Sequence, residues 1–173
     1  MKHDPYVPSP LAKVEVRERS TLVFVRELPH SPEDVWSALT EPEELRQWAP
    51  FDVDRNLGST GEVLLTTVGG DESEKSPGAV RLVERPRVLE YTWGNDVLRW
   101  ELEPSGGGTR LTLTHTLEDP EWITMVAPGW HICLDVMDRH LAKKPVGRLV
   151  AEEAKKHGFD ELREKYAAAL KRS

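Results

Sequence analysis

Residues 120–144 read PEWITMVAPGWHICLDVMDRHLAKK, the longest stretch of the 173-residue chain with a helical period. Ile123, Val126, Trp130, Leu134, Met137 and Leu141 recur at steps of three or four, which sets them along one helix stripe. His131, Asp135, Asp138 and Arg139 occupy the other side, which the pattern assigns to water. Asp119, Pro120 and Glu121 form a start signal: a capping carboxylate, a proline at the first helical position and an acid in the first turn. Pro128-Gly129 predicts a break near Ala127, because proline lacks an amide donor and crowds the preceding turn. The expectation is a short helix, a break, and a long helix laid across a sheet.

The preceding chain supplies that sheet. Residues 14–28, VEVRERSTLVFVREL, are rich in β-branched residues, and Thr21–Val25 is their strongest strand segment. Leu22, Phe24 and Leu28 share one face, with Arg26 between the last two. Ser31 before Pro32, Glu33 and Asp34 starts a short helix carrying Val35, Trp36 and Leu39. Glu41-Pro42-Glu43-Glu44 starts a second, with Leu45 and Trp48; Trp36 and Trp48 read as pins for these two helices. Strand-like segments follow at 51–57, 62–68, 79–84, 88–93, 97–103 and 109–117. A polar loop from Gly69-Gly70-Asp71 to Pro77-Gly78 separates the second from the third. Gly94-Asn95 and Gly106-Gly107-Gly108 are hairpin turns, where glycine supplies positive φ, so the last strands form an antiparallel meander.

Composition narrows the function classes. With 38% hydrophobic and 31% charged residues, the chain is globular and able to bury a core. A net charge of -7, without a Lys/Arg block, argues against nucleic acid as a partner. Cys133 is the only cysteine, so no internal disulfide forms, and a buried inert thiol is expected. No apolar run approaches the ~18 residues of a membrane span, and MKHDPYVPSP lacks a signal-peptide core. A cytoplasmic protein without a membrane partner is expected.

One strand, two short helices, about six strands and a long C-terminal helix make an α+β fold. A curved antiparallel sheet of about seven strands must bury its apolar face, and the long helix is the element large enough to cover it. The chain resembles the START-like, birch-pollen-allergen-like (SRPBCC) superfamily with its helix-grip fold. Within it, the chain resembles bacterial proteins similar to the C-terminal domain of the heat-shock-protein ATPase activator. The resemblance rests on Pro32-Glu33-Asp34-Val35-Trp36, Thr40-Glu41-Pro42-Glu43, Trp48 and Gly61. It continues in Pro86-Arg87-Val88-Leu89, Tyr91-Thr92-Trp93, residues 109–115 (TRLTLTH), Gly129-Trp130, Leu134 and His140-Leu141. It spans roughly residues 12–144. Residues 1–11 are then an N-terminal arm, and residues 145–173 a helical extension with Glu152-Glu153-Ala154 and a stripe of Phe159, Leu162, Tyr166 and Leu170. The family name implies a chaperone-ATPase-associated role; the fold also hosts lipid carriers, hormone receptors and cyclases.

Three kinds of site are weighed. His131, Asp135 and Asp138 stand at i, i+4 and i+7, a spacing that could converge on a metal, but they also form the polar side of an amphipathic helix. There is no His-Glu-x-x-His and no cysteine pair, so no metal site is assigned. Glu90, Arg99, Glu101 and His115 are the acid/base candidates. His115 alternates with Leu111 and Leu113 and so points inward, where a histidine is more often a hydrogen-bonded core residue than a catalyst. No catalytic residue is assigned, though a cyclase- or hydrolase-type enzyme using the same cavity stays open. Six tryptophans are the strongest signal. Trp93, Trp100, Trp122 and Trp130 lie around the helix–sheet space, either filling it or walling a pocket for a flat or greasy ligand. The leading expectation is a binding protein for a small hydrophobic ligand that needs no cofactor. Its apolar cavity is lined by Phe24, Trp93, Trp100, Leu113, His115, Trp130, Leu134 and Met137, with a mouth beside Pro128-Gly129. A homodimer through the tail stripe is a further possibility.

Overall fold

In the computed structural model, residues 9, 11–18, 20–68, 74–149 and 158–171 are described. They contain eight strands in one antiparallel sheet: β1 (Lys13–Arg17), β2 (Thr21–Leu28), β3 (Phe51–Val53), β4 (Gly61–Thr67), β5 (Glu74–Glu84), β6 (Val88–Trp93), β7 (Asp96–Ser105) and β8 (Gly108–Thr116). The spatial order is β1-β2-β8-β7-β6-β5-β4-β3, so the early strand β2 closes against the last, as a helix-grip sheet requires. The helices are α1 (Pro32–Thr40), α2 (Pro42–Leu45), α3 (Ile123–Leu141) and α4 (Phe159–Lys171).

The eighth strand comes from the N-terminal segment, which is a hairpin rather than one strand. Glu18 turns the chain at φ 50, and Val14 and Val16 of β1 pair with Phe24 and Leu22 of β2. In the middle of the sheet, Phe24 registers with Leu113, Leu113 with Trp100, and Trp100 with Leu89. All four are fully buried. The next inward row, Leu22, His115, Leu98 and Tyr91, is buried as well, with one polar member.

The expected loop up to Pro77-Gly78 is shorter than its composition suggested, because β5 already begins at Glu74 and runs through both residues. Pro77 has no amide to give the ladder, and bonds beside it hold β5 to the β6 end. Ala79 N–H donates to Thr92 Oγ1 at 2.9 Å, and Gly94 N–H donates to the Pro77 carbonyl at 3.2 Å. A Cβ on Gly78 would lie 2.2 Å from the Thr92 carbonyl oxygen, so only glycine lets β6 come this close. The weak strand expected over 51–57 is confined to Phe51–Val53. Gly69-Gly70-Asp71 and Glu152-Glu153-Ala154 lie outside the described residues.

Two expectations about residues 120–144 are corrected. A single 3-10 turn, Pro120–Trp122, precedes one continuous α3 that contains Pro128, so the discontinuity falls at Trp122/Ile123 and not at Ala127. Ala127, Pro128 and Trp130 are buried, and that burial outweighs the amide that proline cannot supply. The side of α3 assigned to water is also largely covered: His131 is 1% exposed and Asp135 4%. The cover is α4, whose Leu162 and Tyr166 are buried against the body, with Phe159 and Leu170 packed at the margin. Ser31 caps α1 by accepting from Asp34 N–H at 3.2 Å, and Trp48 Nε1 donates to the Ala38 carbonyl at 3.0 Å, as pins would.

Candidate functional site

The inward faces of β6, β7 and β8 end together at the Gly94-Asn95 hairpin. Inward positions are odd on β6 (Leu89, Tyr91, Trp93) and even on β7 (Asp96, Leu98, Trp100), so Trp93 and Asp96 pair at the last inward step. Gly94 takes φ 59 to close this two-residue turn. The alternation that buries Leu98 and Trp100 thus places a carboxylate at the rim of the core.

Asp96 is engaged from two directions. Its Oδ2 lies 2.8 Å from His115 Nε2, and its Oδ1 accepts from Glu118 N–H at 2.9 Å. On the far side of the imidazole, Trp130 Nε1 donates to His115 Nδ1 at 3.0 Å. An indole nitrogen only donates, so Nδ1 carries the lone pair and Nε2 the proton given to Asp96. Burial alone would raise the Asp96 carboxyl, but the bonds from His115 and Glu118 outweigh it and hold the group below its ordinary value of 3.8. Around this chain the aromatic rings meet edge to face. Trp130 lies 5.4 Å from Trp100 and 6.5 Å from Trp93, and Trp100 lies 6.0 Å from Trp48.

A cleft of about 570 Å³ opens outward from this point. Trp93, His115, Leu117, Trp122 and Val126 line it together with the polar Thr67, Ser76 and Asn95. Asp96, Glu118, Asp119 and Glu74 edge it. Trp122 is 56% exposed, a large indole in the lining of the cleft.

A second polar cluster lies under α4. Arg26 reaches from β2 to Asp135, and also to Asp138 at 3.3 Å; His30 Nε2 lies 2.6 Å from Asp138. Ser9 gives Asp135 its backbone N–H at 3.0 Å and its hydroxyl at 2.6 Å. Tyr166 Oη lies 2.5 Å from His131 Nδ1 and accepts from Ala12 N–H at 3.0 Å. Burial pushes the Tyr166 phenol up to about 12. The three residues weighed as a metal set are therefore engaged with an arginine, a second histidine, the arm and the tail. Among the described residues no group of His, Cys, Asp and Glu is placed to hold a metal ion.

Of the residues expected to line a cavity, Trp93 and His115 reach the cleft. Trp100 and Trp130 stand directly behind them in the aromatic cluster. Phe24, Leu113, Leu134 and Met137 are fully buried deeper in the core, and Phe24 packs on Tyr166 at 6.1 Å. Glu90, Arg99 and Glu101 pair with one another along the sheet, away from the cleft. Cys133 is buried and its thiol is pushed up to about 12, with Arg148 opposing. The expected mouth at Pro128-Gly129 lies about one turn beyond the observed one, which touches Trp122 and Val126. In the sequence Asp96 reads as a turn residue after Gly94-Asn95. Its even-numbered alternation with Leu98 and Trp100 was the available signal.

The sequence model of the family described as activator of Hsp90 ATPase homolog 1-like protein matches residues 29–142. Among solved structures, a Rhodobacter sphaeroides protein is 23% identical, with a TM-score of 0.65 over 76% of this chain and 97% of that one. CalU16 from Micromonospora echinospora is 21% identical, with a TM-score of 0.63 over 88% and 89%. A conserved protein of unknown function from Enterococcus faecalis is 21% identical, with a TM-score of 0.63 over 91% and 88%. At these identities the likeness establishes the fold alone. No curated protein sequence matches the chain.

Proposed function

The chain belongs to the family of activator of Hsp90 ATPase homolog 1-like proteins, with the START-like helix-grip fold, and from that premise we propose that it binds a small lipophilic or aromatic molecule at the Trp93–Trp122 cleft. The observation that carries this reading is the cleft itself, whose apolar members Trp93, Leu117, Trp122 and Val126 come from the end of β6, the segment after β8 and the start of α3. Its size falls in the range typical of small-molecule sites, about 300–1,000 Å³. In this reading Trp93 meets the ligand, and the enclosed His115, Trp100 and Trp130 back it. Phe24, Leu113, Leu134 and Met137 keep the wall rigid from behind. No cofactor takes part.

The test is a titration with a panel of aromatic and aliphatic compounds, followed by thermal shift and by the indole N–H resonances. Binding should move the Trp93 and Trp122 resonances, and Trp122→Ala should weaken it about tenfold. A panel that leaves both melting temperature and indole signals unchanged would sink the reading.

A chaperone-associated role is the second reading, favoured by the family match over 29–142. It predicts that the protein is retained on an immobilised chaperone ATPase and stimulates ATP turnover. An enzyme built on His115 draws less support, because both ring nitrogens are already engaged, by Asp96 and by Trp130.

A further inference from the structure

The charge of the cleft narrows its occupant, and the inference rests on the binding reading above. Glu74, Asp96, Glu118 and Asp119 line it, and no lysine or arginine does so among the described residues. His115 does not offset them, since its one ring proton is given to Asp96 while Nδ1 accepts from Trp130. Two indoles, Trp93 and Trp122, share the lining with these carboxylates, the second of them 56% exposed. An indole face attracts a positive charge through its quadrupole, by about 0.5–2 kcal/mol according to how far the site is desolvated. A carboxylate that keeps spare acceptor capacity adds to that attraction. Asp96 has each oxygen committed to one donor, can accept more, and has a side chain 25% exposed.

A neutral ligand entering here would strip water from these carboxylates without replacing it, and an anion would be repelled. A purely solvated acidic rim would not need tryptophan walls, and a purely greasy pocket would not carry four acids. We propose that the cleft takes an organic cation, an amine or quaternary ammonium with an apolar body. Its charge lies against Trp122 and Asp96, and its body against Trp93, Leu117 and Val126.

The discriminating probes are benzyltrimethylammonium and its neutral isostere neopentylbenzene, which share a shape and differ in charge. Each is titrated into the full chain, with the six indole N–H resonances as readout and Trp93→Phe and Trp122→Phe providing the assignments. The cation should perturb the Trp93 and Trp122 signals and bind about tenfold more tightly than the isostere. That advantage should fall to about threefold in the double variant Glu74→Gln/Glu118→Gln, which leaves Asp96 and Asp119 in place. Both glutamates are exposed, so the variant keeps the fold. Raised salt should weaken the cation and spare the isostere. If the two probes bind alike, the cation assignment falls while small-molecule binding stands. If neither probe moves the two indoles but neutral members of the wider panel do, the cation assignment alone is overturned. If nothing in the panel moves them, both fall.

Discussion

His115 shows what one buried polar side chain can hold together. It sits in a row of apolar residues, fully enclosed, and joins α3 to the β7 rim through Trp130 and Asp96. Replacing it with leucine would leave the buried Trp130 N–H without an acceptor. The cost of orphaning such a group is about 1–3 kcal/mol, so His115→Leu should lower the unfolding free energy measured in urea by that amount. Asp96 carries a pH signature. Its folded value lies below 3.8, so its stabilising share is fully present above 3.8 and is lost as pH falls through the lower folded value. Asp96→Asn should therefore show a smaller loss of urea midpoint than wild type between about pH 6 and about pH 3. An equal loss in both proteins would show that the acid sensitivity lies elsewhere.

At the scale of elements, close strand approach sets a demand of its own. Gly78 faces the Thr92 carbonyl so tightly that an added methyl would also meet Leu65 Cδ1 at 2.8 Å. Gly78→Ala should cost about 1–3 kcal/mol, read as a lower melting temperature, because a backbone atom cannot step aside as a flexible side chain can. The strands of the meander were legible in the sequence because each ends in glycine, proline or asparagine and alternates between them. Two features were not. The break expected at Pro128 did not occur, because local propensity knows nothing of the burial gained by Ala127 and Trp130. The polar face of α3 looked solvent-bound because its partners lie far away in sequence, at Ser9, Arg26 and Tyr166. A single tyrosine within the apolar stripe of α4 was the only local hint. At the cleft, the tryptophans announced themselves by number, whereas Asp96 needed the strand register to be seen as inward.

For the whole molecule, α4 packs against the body beyond the span of the family match. The family match ends at residue 142, yet Leu162 and Tyr166 beyond it are buried to 3% and 0% exposure. Fully burying a side chain of this kind is worth about 1.5–3 kcal/mol. A chain ending at Lys144 should then lose roughly 3–5 kcal/mol in urea unfolding. It should also self-associate in size-exclusion chromatography, because the apolar surface that Leu162 and Tyr166 cover, Phe24 included, would be bared. A truncated chain as stable and monomeric as the full one would show that α4 merely rests on the surface. Among the described residues no helix is long and apolar enough to cross a membrane.

The hydroxyl of Tyr166 joins the two extremities of the described chain, since Ala12 lies 154 positions away from it. During synthesis that closure has to wait. At about 5–20 residues per second, the stretch from Asp135 to Tyr166 takes on the order of seconds to emerge. Through that interval the sheet and α3 can already meet, while their ionic flank has no tail to cover it. Ser9 is made first and holds the same Asp135. In the folded protein Ser9 and Tyr166 close one flank of α3 together, Ser9 on Asp135 and Tyr166 on His131.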